Sequence, residues 1–185
     1  AVGSILLGAA WSLLSSSSKQ GKKTDIKLQG VQSGLIFLQR FEHDFRRIHL
    51  DDEHDVTVSP NPAEGISFYI YDIKNSSLSD GTIKIQKVRY FFKEEKYAIY
   101  RVVDDGRPKR LKGSYEAIVF GKHGDHNYIE KKPSIIAPMG VLTVLVTGTP
   151  KDVLKRPPKE RKSQDRTTFW CSFPLRARNG RLAHT

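Results

Sequence analysis

LIFLQRFEHDFRRIHL, residues 35–50, decides how the rest of the chain is read. With Leu28 and Val31 upstream, Leu35, Leu38, Phe41, Phe45 and Ile48 recur at steps of three or four. That spacing makes one apolar stripe on a 3.6-residue period, with Arg40, His43, Asp44, Arg46 and Arg47 directed away from it. The stripe predicts an amphipathic stem helix over residues 24–52, capped by Thr24 or Asp25 and packed through these residues on a sheet. Gly30 and Gly34, four apart, add a bare backbone patch suited to close packing.

Upstream, AVGSILLGAAWSLL (residues 1–14) carries no charge but falls short of the roughly 20 apolar residues a membrane span needs. It reads as part of a hydrophobic anchor that begins before Ala1. A secretory signal fits less well, because the basic n-region and a clean cleavage site are missing. Gly3, Gly8 and Ala9, with Trp11 beside them, are the expected positions of helix packing, since small residues let backbones approach. SSSSKQGKK then breaks the pattern, so residues 1–23 form an anchor and a basic junction.

Downstream, residues 53–185 read as a β-rich head. Ile66–Ile73 alternates Ile66, Phe68 and Ile70 with Ser67, Tyr69 and Tyr71, as a strand with one buried face does. Thr82–Phe92 changes parity from Ile83 and Ile85 to Val88, Tyr90 and Phe92, which predicts a bulge or a bend near Lys87. Lys93–Lys96 turns the chain into Tyr97–Val103, completing an antiparallel hairpin, and Asp104-Asp105-Gly106 closes that strand with turn chemistry. Ser114–Phe120 is a further short strand. VLTVLV (residues 141–146) reads as a buried central strand, and Thr168–Leu175 as the closing one, with Cys171 inward as a small hydrophobe.

The charge is uneven. Of the net +11, residues 151–185 supply +7, from ten Lys/Arg against three Asp/Glu. Lys151, Lys155, Arg156, Lys159, Arg161, Lys162 and Arg166 form a proline-bracketed basic loop over 151–166. Such a cluster can attract nucleic acid, acidic lipid or an acidic partner, but it lacks interleaved aromatic residues. The plainer expectation is a solvated loop. The single cysteine excludes an intramolecular disulfide and a four-cysteine zinc site.

Chemistry is sparse. No Walker loop, GxGxxG turn, G-x-S-x-G elbow or H-E-x-x-H helix occurs. HLDDEHD (residues 49–55) gathers potential ligands in His49, Asp51, Asp52, Glu53, His54 and Asp55. Its spacing matches no zinc or EF-hand pattern, so no metal is expected there. His123 and His126 sit in a polar loop without cysteine partners. The expectation is no enzyme, no cofactor and no small-molecule substrate.

AVGSILLGAAWSLLSSSS resembles the middle of a prepilin-type anchor, and LIFLQRFEHDFRRI resembles the stem of J-type minor pseudopilins. ISFYIYD, VRYFFKEEKYAIYRVVDDG and TFWCSFPLRARNG are similar in order and rhythm to the strands of that family's head. The resemblance implies an α+β fold: a long N-terminal amphipathic/anchor helix packed on a mainly antiparallel β-sheet head. It implies a structural minor subunit, at or near the tip of a type IV pilus or type II secretion-like filament. Its partners would be sibling pilin-like subunits, and the inner membrane of a bacterial envelope before assembly, with the head periplasmic or extracellular. The alternatives are a nucleic-acid-binding minor pilin acting through the basic loop, or an envelope-anchored binding protein.

Overall fold

The computed structural model describes residues 2–51, 53–59, 61–73, 75–76, 81–121 and 141–175. Helix α1 spans Val2–Phe45, with its side chains described at 20–21, 24–25 and from Lys27 onward. The chain then lays down β1 (Ile48–His49), β2 (Thr57–Val58), β3 (Ile66–Tyr71), β4 (Ile85–Lys93), β5 (Ala98–Val103) and β6 (Lys109–Arg110). These form one antiparallel sheet in the order β1-β3-β4-β5-β6, with β2 beside β1 on the same flank of β3. A second antiparallel sheet, β7-β8-β9, is built from Tyr115–Gly121, Val141–Gly148 and Thr167–Pro174. A short helix, α2 (Lys151–Leu154), and two 3-10 turns lie between β8 and β9.

The expected class is corrected by this layout. Among the described residues the fold is mainly strand, nine of them in two antiparallel sheets, and the helical stretch with a described packed face is Lys27–Phe45. No helix among them is long and apolar enough to cross a membrane. An anchor helix lying under a single sheet is therefore not the observed arrangement. The physical reason lies in the rings of α1. Phe41 meets Phe68 and Tyr90 of the larger sheet at centroid distances of 5.7 and 5.2 Å, and Phe120 and Phe173 of the smaller one at 5.9 and 5.3 Å. One large aromatic side chain thus closes a core between two sheets.

Local chemistry explains most of the strands. β3 buries Ile66, Phe68 and Ile70 and half-exposes the residues between them. VLTVLV lies in β8, central between β7 and β9, where both faces are covered. The bulge expected near Lys87 does not form. β3 and β4 pair without interruption from Ile66↔Tyr90 to Tyr71↔Ile85, and Ile83 lies before β4, 70% exposed. The hairpin turn at Asp104 takes a left-handed φ of 48°, and its carboxylate accepts the Lys87 N–H at 2.8 Å. Nor does the stem helix restart at Thr24 or Asp25. α1 is continuous there, and the Thr24 hydroxyl donates back to the Gln20 carbonyl at 3.1 Å. It ends at Phe45, short of the expected residue 52, because Ile48–His49 pairs with β3 as a strand.

Candidate functional site

α1 has two apolar faces rather than one. Phe37, Phe41 and Phe45 are buried against the sheets, with Leu38 and Ile48 partly buried beside them. Leu28, Leu35 and Ile36 point outward, 52%, 44% and 37% exposed. Leu28 and Leu35 were expected in the core, and their exposure corrects that assignment. The glycines set the rotation. A Cβ at Gly30 would sit 3.0 Å from the Gly148 carbonyl oxygen, and one at Gly34 would enter the Phe169 ring. The backbone of α1 therefore approaches the smaller sheet most closely along Gly30 and Gly34. This pulls Ser33, Phe37, Phe41, Asp44 and Phe45 inward and turns Leu28 and Leu35 out. Val31 is half-buried at the boundary. Gly3, Gly8, Ala9 and Trp11 fall at helix positions whose side chains lie outside the described residues.

Asp44 was expected on the polar face but has no exposed surface. Its Oδ2 accepts hydrogen bonds from the Tyr90 hydroxyl at 2.6 Å and from Arg101 Nε, and its Oδ1 accepts from Arg47 at 2.8 Å. Burial alone would raise the Asp44 carboxyl. The hydrogen bonds from Arg101 and Tyr90, with the charges of Arg101 and Arg40, outweigh it and hold the group below its ordinary value. The same burial, together with the Asp44 charge, pushes the Tyr90 phenol up. Arg101 carried the missed signal. In AIYRVV it shares strand parity with Ile99, which is fully buried, so its charge had to find a partner inside.

The basic loop is folded. Arg161 donates to the carbonyls of Leu154 and Arg156, at 2.9 and 3.0 Å, and to the Tyr97 hydroxyl at 3.0 Å. It also pairs with Glu116 at 3.4 Å, and its side chain is 6% exposed. Arg166 meets the other oxygen of Glu116 at 3.1 Å, and Arg156 faces Asp165 at 3.6 Å. Of the seven expected residues, Lys151, Lys155, Lys159 and Lys162 remain on the surface, with Lys155 near Asp152. Three arginines are thus turned to intramolecular use, and four separate lysines are a weak anion surface.

A different basic face lies on β4. Lys87 sits over the Tyr69 ring at 5.8 Å, Arg89 over Phe91 at 5.0 Å, and Lys93 within 5.9 and 5.4 Å of Phe91 and Tyr100. These side chains share the outward parity of β3, β4 and β5, as their pairings Tyr69↔Lys87 and Phe91↔Tyr100 require.

The described residues assemble no catalytic set. His43, His49 and His54 bond Asp44, Asp51 and Tyr71 rather than a serine or cysteine. Cys171 lines an open groove of about 550 Å³ with Leu38, Glu42, Phe45 and Phe173. Burial and the Glu42 charge push its thiol up, away from the thiolate a nucleophile needs. No family model matches the chain, and no characterised protein or solved structure is significantly similar to it.

Proposed function

We propose that the chain is a structural subunit, a minor pilin or pseudopilin of a type IV pilus or type II secretion-like filament, that works by docking on sibling subunits through α1. One observation carries this: α1 exposes Leu28, Leu35 and Ile36 on the side away from the core that holds Phe37, Phe41 and Phe45. A helix that is apolar on both sides calls for a second partner. Leu28 and Leu35, seven positions apart, fall on one line of the helix, the spacing that packs against another helix. The uncharged run Val2–Leu14 belongs to the same helix and extends the demand for apolar neighbours, first the inner membrane and then sibling helices. The similarity of LIFLQRFEHDFRRI to pseudopilin stems supports the filament assignment, whereas the strand-dominated layout contributes nothing to it.

The test is a full-length variant, Leu28→Glu/Leu35→Glu/Ile36→Glu, expressed in its own cells and purified from membranes. Because all three side chains are exposed, the head should fold as before. Pilin-like subunits should co-purify with the parent chain and be lost with the variant. An unchanged set of partners would refute docking through α1.

The β4 face favours a second function, binding of single-stranded nucleic acid, because cations interleaved with rings suit phosphates and bases. Phe91 is buried and Tyr69 and Tyr100 are half-buried, so little ring is open for stacking. Binding that weakens with salt, with a log–log slope of about −0.7 per phosphate neutralised, and that is lost in Lys87→Gln/Arg89→Gln/Lys93→Gln, would favour this function over the first.

A further inference from the structure

We propose that His49, Asp51 and His54 form a binding site for a borderline divalent metal ion of the zinc type, at the edge of the larger sheet. One ligand atom from each lies within 4.8 Å of the others. Asp51 stands between the two imidazoles: its Oδ2 is 2.7 Å from His49 Nε2, and its Oδ1 is 2.7 Å from His54 Nδ1. Two ligands of one zinc ion, each bound at about 2.0–2.1 Å, can be at most about 4.2 Å apart. A pair at the 4.8 Å limit would have to close by at least about 0.6 Å, which side-chain rotation supplies.

All three lie in HLDDEHD, whose spacing matches no zinc or EF-hand pattern, and the fold is what brings them together. His49 ends β1, its backbone paired with Tyr69 of β3, and the chain then doubles back so that His54 returns to the same place. Neighbours outside the trio hold both rings. His49 Nδ1 is 2.9 Å from the Tyr71 hydroxyl, and with a proton on Nδ1 that contact leaves Nε2 free to ligate. Tyr71 also packs edge-on against His49 at 5.0 Å, and Tyr69 against His54 at 4.4 Å. Two imidazoles with one carboxylate suit zinc, nickel or copper rather than the all-oxygen cations calcium and magnesium. Asp51 is 41% exposed, so a coordination position stays open on the solvent side. The bound ion would clip the end of β1 to the loop leading into β2.

The test uses the full chain after chelator treatment, titrated with zinc by calorimetry and with cobalt by visible absorption. Expected are one zinc per chain, a rise in melting temperature with zinc, and a cobalt spectrum of a low-coordinate nitrogen–oxygen site. His49→Gln and His54→Gln should each abolish these, and Tyr71→Phe should weaken binding by about 10- to 100-fold, as loss of an outer hydrogen bond does. His43→Gln and the His123→Gln/His126→Gln pair should bind as the parent does. Binding that survives in His49→Gln/His54→Gln, or is lost with His123 and His126, overturns the assignment. So does absence of saturable zinc binding by the parent chain. Should the glutamine variants fail to fold, Tyr71→Phe decides, since parental affinity there contradicts the site.

Discussion

The Tyr90 hydroxyl on β4 donates to the fully buried carboxylate of Asp44 on α1 at 2.6 Å, across 46 positions of sequence. Arg101 on β5 reaches the same oxygen, so a helix and two neighbouring strands are joined at one ionised group. Breaking a buried pair by removing one partner costs about 3–5 kcal/mol, because the other charge stays buried. Asp44→Ala should therefore lose about that much stability in urea unfolding at neutral pH. A loss under 1 kcal/mol would place Arg101 in contact with water.

The same carboxylate should shape the acid limb of stability. Its folded value lies below the ordinary 3.8, so its contribution is present above about pH 4 and disappears as pH falls through the folded value. The gap in stability between the parent chain and Asp44→Ala should be constant from neutral pH to about pH 5 and narrow below pH 4. Denaturant midpoints across that range check it. A gap that widened towards acid would contradict the lowered value.

Two glycines of the chain should respond in opposite directions. A Cβ at Gly148 would run into the Gly30 carbonyl oxygen, whereas one at Gly21 meets open space within α1. Gly148→Ala should destabilise by about 1–3 kcal/mol through overpacking. Gly21→Ala should be neutral or stabilising by up to about 1 kcal/mol, as expected inside a helix. Thermal unfolding of both variants settles whether α1 lies this close to β8.

Within the basic segment, Arg161→Ala should cost about 1.5–3 kcal/mol, since the Glu116 charge and two carbonyls lose a charged donor. Lys159→Gln/Lys162→Gln, both exposed, should stay within about 0.5 kcal/mol of the parent. Equal effects from the two variants would mean that the segment is a solvated loop after all.

The strands were largely legible. Alternation placed β3, and a continuous apolar run placed β8 at the centre of its sheet, because period-two patterning and burial act over a few neighbouring residues. The face of α1 was not. Leu28 and Leu35 lie on the expected stripe, yet Gly30, Gly34 and Phe37 define the buried one. The choice between them came from contact with Gly148 and Phe169, more than a hundred residues away. Asp44 was misplaced for the same reason: an acidic residue on a helix looks solvated until Arg101 and Tyr90 are brought to it. The seven basic residues were recognised as a cluster, but the acidic and carbonyl acceptors that divide them sit partly on β7 and in turns that spacing does not report. His49 and His54 were noticed as residues, and only the return of the chain past β3 brought them onto Asp51.

Docking through α1 is tested most directly by a photo-reactive amino acid placed at Leu35 of the full chain in its own cells, with Lys93 on the outer face of β4 as the comparison position. Irradiation should yield adducts from position 35 that contain helices of pilin-like subunits, and none of these from position 93. Adducts confined to position 93, or no protein adduct from position 35 in cells that make the filament, would contradict assembly through this helix.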